Sequence, residues 1–113
     1  MGAGVRVIVF NTDETYGPEL RSILLSYEGL KIIAEVDEAV LLPQAVKQFP
    51  ADLAVVHLDP DAEGVLHMTG QAAAEMPDLP IFAISESTDG QLILAAMRMG
   101  IREFLTKPID RDL

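Results

Sequence analysis

Apolar residues recur along this chain in two alternating rhythms. Short runs rich in Val, Ile and Leu, at residues 5–10, 31–36, 53–57, 81–84 and 102–105, have the length and branched character of β-strands. Segments of helical period separate them, at 18–27, in the stretch up to 49, at 65–76 and at 90–99. In the first of these, Leu20, Ile23, Leu24 and Tyr27 fall on one face, and Pro18 and Glu19 suit the opening turn of a helix. Pro43 opens the regular part of the second helix, because a proline inside would break the hydrogen-bond ladder, and Pro50 ends it. The run at 53–57 is almost purely apolar, as expected for a central strand covered on both faces. Gly100 closes the fourth helix. This alternation predicts one α/β domain over residues 1–113, a doubly wound, five-stranded parallel sheet with helices on both faces. Residues 109–113 read as the start of one more helix. The last covering helix is then largely absent from the chain, and we expect a fragment of a longer protein.

Composition narrows the function. Eighteen acidic against eight basic side chains give a net charge of -10, a field that repels nucleic-acid phosphates and anionic lipid. The apolar runs fall far short of the roughly 20 residues a bilayer span needs, and the N-terminus lacks the features of a signal peptide. A cytoplasmic protein with no nucleic-acid partner and no membrane insertion is expected. The absence of cysteine removes disulfides, thiolate metal sites and a thiol nucleophile.

In doubly wound sheets, chemistry gathers where the strands end. The residues there are Asn11, Thr12 and Asp13 after the first strand, His57 and Asp59 after the third, Ser85 after the fourth and Lys107 after the fifth. The runs that carry them are Arg6 to Asp13, Ala51 to His57, Pro80 to Ser85, and Ala96 to Pro108, the last holding Gly100, Phe104 and then Thr106-Lys107-Pro108. In order and spacing these runs resemble the response-regulator receiver domains, of flavodoxin-like, CheY-like topology.

The resemblance implies an acidic pair holding magnesium, an aspartate accepting phosphoryl at the end of the third strand, a hydroxyl after the fourth and a lysine after the fifth. A carboxylate attacks phosphorus only when metal and lysine offset the charge on the transferring group. Ser85 and Lys107 match the last two positions, and the Lys107-Pro108 bond is expected to be cis, as in the resembled family. The acidic pair, however, falls on neutral Asn11 and Thr12, and the acceptor position on His57. The implied outcome is a degenerate phosphoacceptor site with no catalytic residue, no metal and no cofactor. His57 is expected to be a hydrogen-bonded neutral imidazole, and Ser85 a hydrogen-bonding strand terminator. Lys107 needs a new partner, for which Asp59 and Asp13 are the nearest candidates.

One alternative shifts the acids by two residues, so that Asp13 and Glu14 form the pair, with Mg2+ as cofactor, and Asp59 is the acceptor. Strand facing survives such a slip, but extending the strands would displace the acids from Ser85 and Lys107 by about 6 to 7 Å. A variant keeps the register and lets Asp13, Asp59 or Asp61 collect a cation loosely. A small enzyme using Asp13, His57 and Asp59 as acid and base is a third class, without an evident nucleophile.

The fourth helix carries more apolar residues than one core face needs. Leu92, Ala95, Ala96 and Met99 fill that face, leaving Ile93, Leu94 and Met97 over. With Phe104 they are candidates for self-association or for docking a protein partner. The runs Gly100 to Leu105 and His57 to Pro60 further resemble the N-terminal domain of CpaE/TadZ-type pilus-assembly proteins. That resemblance implies a pseudo-receiver recruited to the cell pole, joined in the full-length protein to a C-terminal ATPase or output domain. No phosphate-binding Gly-Lys-Ser/Thr loop occurs in the present sequence.

Overall fold

The computed structural model describes residues 4–109. Five strands, β1 (Val5–Phe10), β2 (Leu30–Val36), β3 (Leu53–His57), β4 (Ile81–Ser85) and β5 (Glu103–Thr106), form one sheet in the order β2-β1-β3-β4-β5. All the pairings are parallel. Four helices connect them: α1 (Gly17–Leu25), α2 (Leu42–Gln48), α3 (Ala62–Glu75) and α4 (Gly90–Arg98), with a 3₁₀ turn at Ala39–Leu41 ahead of α2. The doubly wound, flavodoxin-like parallel sheet predicted from the alternation is the architecture observed.

The two-residue period of each strand sorts its side chains between two cores. Ile8, Phe10, Ala54, Val56, Ile81 and Ala83 meet residues of α2, α3 and α4 on one face. Val7, Val9, Val55 and Ile84 meet Leu20, Leu24 and Tyr16 on the other, where α1 packs. Among the described residues α1 alone packs there and does not cover that second face. An apolar groove of about 240 Å³ remains beside α1, lined among others by Leu53, Phe82, Ile84, Leu105 and Ile109. The helix start expected at 109–113 falls, apart from Ile109, outside the described residues. Among the described residues no helix is long and apolar enough to cross a membrane.

Several element ends differ from the sequence expectation. Helix α3 begins at Ala62 rather than at 65, because the Asp61 carboxylate accepts the Gly64 N–H at 3.2 Å and caps the helix before its apolar stripe starts. Strand β5 runs one residue later than expected. Tyr27, placed on the buried face of the first helix, lies beyond the end of α1 and is exposed, while Tyr16, just before the helix, is buried instead. On α4 only Ala96 is fully buried; Leu92 and Met99 are half-buried, and Ala95 is exposed rather than in the core face. The fourth helix ends as expected, with Gly100 at φ +106, a conformation that disfavours any side chain.

These burials set different costs. Phe10→Ala, at a fully buried ring, is expected to destabilise by about 3–5 kcal/mol and Asp61→Ala by about 1 kcal/mol, with Tyr27→Ala costing least, as read from urea unfolding midpoints.

Candidate functional site

Residue parity brings the site together. In β1 the odd positions face α1, and Asn11 continues that series; in β3 the series Leu53, Val55, His57 does the same; beyond β5, Lys107 follows Leu105. Asn11, His57 and Lys107 therefore converge at the carboxyl ends of three strands, on the α1 side of the sheet.

His57 is fully buried and bonded at both ring nitrogens. Its Nδ1 lies 2.7 Å from Asn11 Oδ1, and its Nε2 2.9 Å from Lys107 Nζ. The tautomer follows from the amide. Asn11 donates through Nδ2 to the Asp13 carbonyl at 2.8 Å and accepts the Asp13 N–H at Oδ1 at 3.0 Å. The oxygen facing His57 can only accept, so Nδ1 carries the proton, and Nε2 presents its lone pair to the lysine ammonium. Burial, reinforced by the Lys107 charge, holds the imidazole below its usual pKa, so the ring is neutral at physiological pH. Tyr16 stacks on it at 4.4 Å between ring centroids, and Lys107 Nζ sits 4.5 Å over the Tyr16 ring. The Tyr16 hydroxyl is buried with no hydrogen-bond partner among the described residues, and burial raises its pKa.

Asp59 meets the same lysine from the other side. Its Oδ2 is 3.0 Å from Lys107 Nζ and accepts the Glu86 N–H at 2.8 Å, while Oδ1 accepts the Ser85 hydroxyl at 2.6 Å. Burial alone would raise this carboxyl's pKa. The bonds from Ser85, Glu86 and Lys107 outweigh it and leave the group below the usual carboxylate range. Of the two partners expected for Lys107, Asp59 is the one that pairs with it and Asp13 is not. The two-residue slip would lengthen β3 and displace Asp59 from Ser85 and Lys107 by about 6 to 7 Å. Instead β3 pairing ends at His57, Leu58 is buried with its N–H on the Ile84 carbonyl at 2.8 Å, and the Asp59 carboxylate reaches across to the end of β4.

The remaining site positions are placed differently. Thr12 is exposed. Asp13 turns its carboxylate to the Thr15 hydroxyl at 2.6 Å, the bond that chiefly lowers its pKa, and it meets the site only through its backbone. The Asp59-Pro60 and Lys107-Pro108 peptide bonds are both cis. Interface candidates Leu94 and Met97 are 48% and 44% exposed, whereas Ile93 and Phe104 are half-buried. A broad open depression of about 900 Å³ lies beside the site, lined by Asn11, Asp13, Glu14, Glu35 and Asp37 among others, with Arg21 tied to Glu35 at 2.7 Å.

Magnesium does not fit these side chains well. The Asn11 oxygen already accepts two bonds, and among the described residues no three His, Asp or Glu side chains converge where a cation could sit. Two residues of this network had no signal in the sequence. Tyr16 lies in a polar turn, and the Glu86 contribution is a backbone N–H that any residue type could supply.

No family model and no curated protein sequence matches the chain. Solved structures do. A pilus assembly-related protein from Burkholderia pseudomallei superimposes with a TM-score of 0.86 at 17% identity, over 99% of this chain and 84% of that one. A pilus assembly protein (CpaE) from Burkholderia thailandensis gives 0.79 at 19% identity, over 96% and 89%. The response regulator domain of CheB from Thermotoga maritima gives 0.80 at 15% identity, over 96% and 81%. The chain thus has the receiver-domain fold, shared with both pilus-assembly and response-regulator structures.

The buried neutral His57 has a pH consequence. Its pKa is lowered on folding, so the unfolded chain takes up the proton first as pH falls, and stability declines from about pH 6.5 downward through the folded pKa. Unfolding midpoints measured from pH 7.5 to 5 are expected to fall in the native protein and in His67→Gln, but to flatten in His57→Asn.

Proposed function

We propose that this domain is a phosphorylation-independent pseudo-receiver, a protein-protein interaction module acting in Tad-type pilus assembly. The observation that carries the reading is the closed network at the strand ends. Lys107 is engaged by Asp59 and His57 together, and Ser85 by Asp59. Phosphoryl transfer needs a free nucleophile and spare positive charge to stabilise the transferring group. The His57 Nε2 lone pair faces the ammonium, both Asp59 oxygens accept hydrogen bonds, and the lysine charge is matched by the Asp59 carboxylate. Neutral Asn11 and Thr12 stand where the resembled receivers hold their metal, and the adjoining depression is lined by carboxylates that repel an anionic phosphodonor.

A second reading has one observation in its favour. Asp59 lies within bonding distance of Ser85 and Lys107, as an acceptor aspartate would need to. It would require magnesium held largely by water, with Asp13 as the other carboxylate, and release of the bonds that now occupy both Asp59 oxygens.

In the preferred reading the working surface is the α4 face. Leu94 and Met97 lie one turn apart, exposed beside half-buried Ile93 and Phe104. The partner is a second copy or another protein domain, such as the ATPase or output domain that the pilus reading joins to this one, with recruitment to the cell pole as the consequence. The two pilus-assembly structures support that context, and the reading is of a binding module rather than a catalyst.

Incubation with Mg2+ and acetyl phosphate is expected to leave the intact mass unchanged; a stoichiometric phosphoryl adduct on Asp59 or His57 would overturn the reading. In sedimentation equilibrium, Leu94→Asp with Met97→Asp is expected to weaken self-association at least tenfold, about 1.4 kcal/mol, with the Phe10-centred core intact by circular dichroism. Association equal to that of the native protein would remove this face from consideration.

A further inference from the structure

The groups bonded to Asp59 are all donors, and they come from two separate places in the chain, the end of β4 and the segment beyond β5. Ser85 Oγ stands at the end of β4, the Glu86 N–H in the following loop, and Lys107 Nζ beyond β5. A hydroxyl, an amide and an ammonium aimed at one point make a cradle for an oxyanion. The other groups against the ammonium, the His57 imidazole and the Tyr16 ring, are neutral, so Asp59 supplies the negative charge bonded there. The carboxylate offers two oxygens to three donors, as one edge of a tetrahedral oxyanion would.

From this point a run of short bonds leads to α4. Ser85 Oγ, which donates to Asp59, accepts the Ser87 N–H at 3.0 Å. Ser87 Oγ in turn accepts the Asp89 N–H at 3.1 Å, and Asp89 Oδ1 accepts the Gln91 N–H at 3.0 Å at the first turn of α4. Every second residue from Ser85 to Asp89 thus holds the amide two positions on, and the series begins at the Asp59 carboxylate.

We propose that Asp59 is a built-in anionic ligand: it fills an oxyanion cradle of Ser85, Glu86 and Lys107, and through the Ser85-Ser87-Asp89 relay it fixes the loop that sets α4. The cradle takes a phosphate-like oxyanion when this carboxylate is withdrawn, and no external anion while it is in place. The α4 face is accordingly held in one arrangement without any modification. This deepens the pseudo-receiver reading and rests on it for the role of the face. The two fail separately, since a phosphoryl adduct is read by mass and the cradle by reversible binding with no phosphodonor present.

The test is amide NMR of the native domain, Asp59→Ala, Asp59→Asn and Asp59→Ala with Lys107→Ala. In Asp59→Ala the amides of Glu86, Ser87, Asp89 and Gln91 are expected to shift and to exchange about tenfold faster or more. Millimolar inorganic phosphate should restore them saturably, chloride at equal ionic strength should not, and removing Lys107 as well should abolish the rescue. The native protein should show no phosphate response at Glu86. Should Asp59→Ala fail to fold, Asp59→Asn keeps the shape but turns an amide NH₂ toward a donor, and the same four amides should move. Unchanged relay amides in the folded variants, a phosphate response no larger than that to chloride, or saturable phosphate binding at Glu86 in the native protein would each overturn the proposal.

Discussion

A lysine ammonium held where parallel strands end cannot be left without partners. The Lys107 side chain is only 17% exposed, and in such a place a charge costs several kcal/mol unless it is paired and hydrogen-bonded. Much of the site can be read as the way this chain meets that demand. Asp59 supplies the opposite charge, His57 a lone pair, and Tyr16 a ring face. Each partner then imposes its own requirement. Nδ1 of His57 needs an acceptor, which Asn11 provides, and the second Asp59 oxygen needs a donor, which Ser85 provides. The network closes on itself with one buried polar atom, the Tyr16 hydroxyl, unpartnered among the described residues.

That closure leaves the polar groups at the strand ends of this receiver fold satisfied by one another. Where an acidic pair and an acceptor aspartate would leave surplus negative charge to be offset by metal, this chain has one carboxylate against one ammonium and neutral groups elsewhere. Such a site has less need of a cation for its stability. Replacing any single member would leave its partner buried and unsatisfied, a larger penalty than the net contribution of the bond itself. The set Asn11, His57, Asp59, Ser85 and Lys107 therefore behaves as one unit.

The link from site to surface runs through a loop rather than through the core. The amides of Ser87, Asp89 and Gln91 are held by side-chain oxygens two residues back, an arrangement that Ser and Asp favour and that competes well with water in short turns. Helix α4 buries only Ala96 completely, so its placement depends on this loop and on contacts of Leu92 and Met99 more than on a deep apolar seat. An element seated so lightly is well suited to present Leu94 and Met97 to a partner, and its position is sensitive to what holds its N-terminal loop.

The sequence by itself determined the sheet, because strand parity and helical period are local properties of the chain. β1 and β3 lie where the apolar runs put them, and the same parity places Asn11, His57 and Lys107 on one side of the sheet. The residue types at the strand ends likewise put neutral Asn11, Thr12 and His57 beside Ser85 and Lys107. What only the tertiary structure decided was who bonds to whom. Asp59, just beyond β3, reaches across to Ser85 at the end of β4 and to Lys107 beyond β5. Tyr16 rather than Tyr27 is buried because α1 starts one residue and stops two residues before its stripe suggests. Helix α3 begins early because one aspartate caps it. Each of these depends on the direction of the chain between regular elements. There hydrogen bonds form across long sequence separations, such as the 26 residues from Asp59 to Ser85 and the 50 from His57 to Lys107, and no local pattern encodes them.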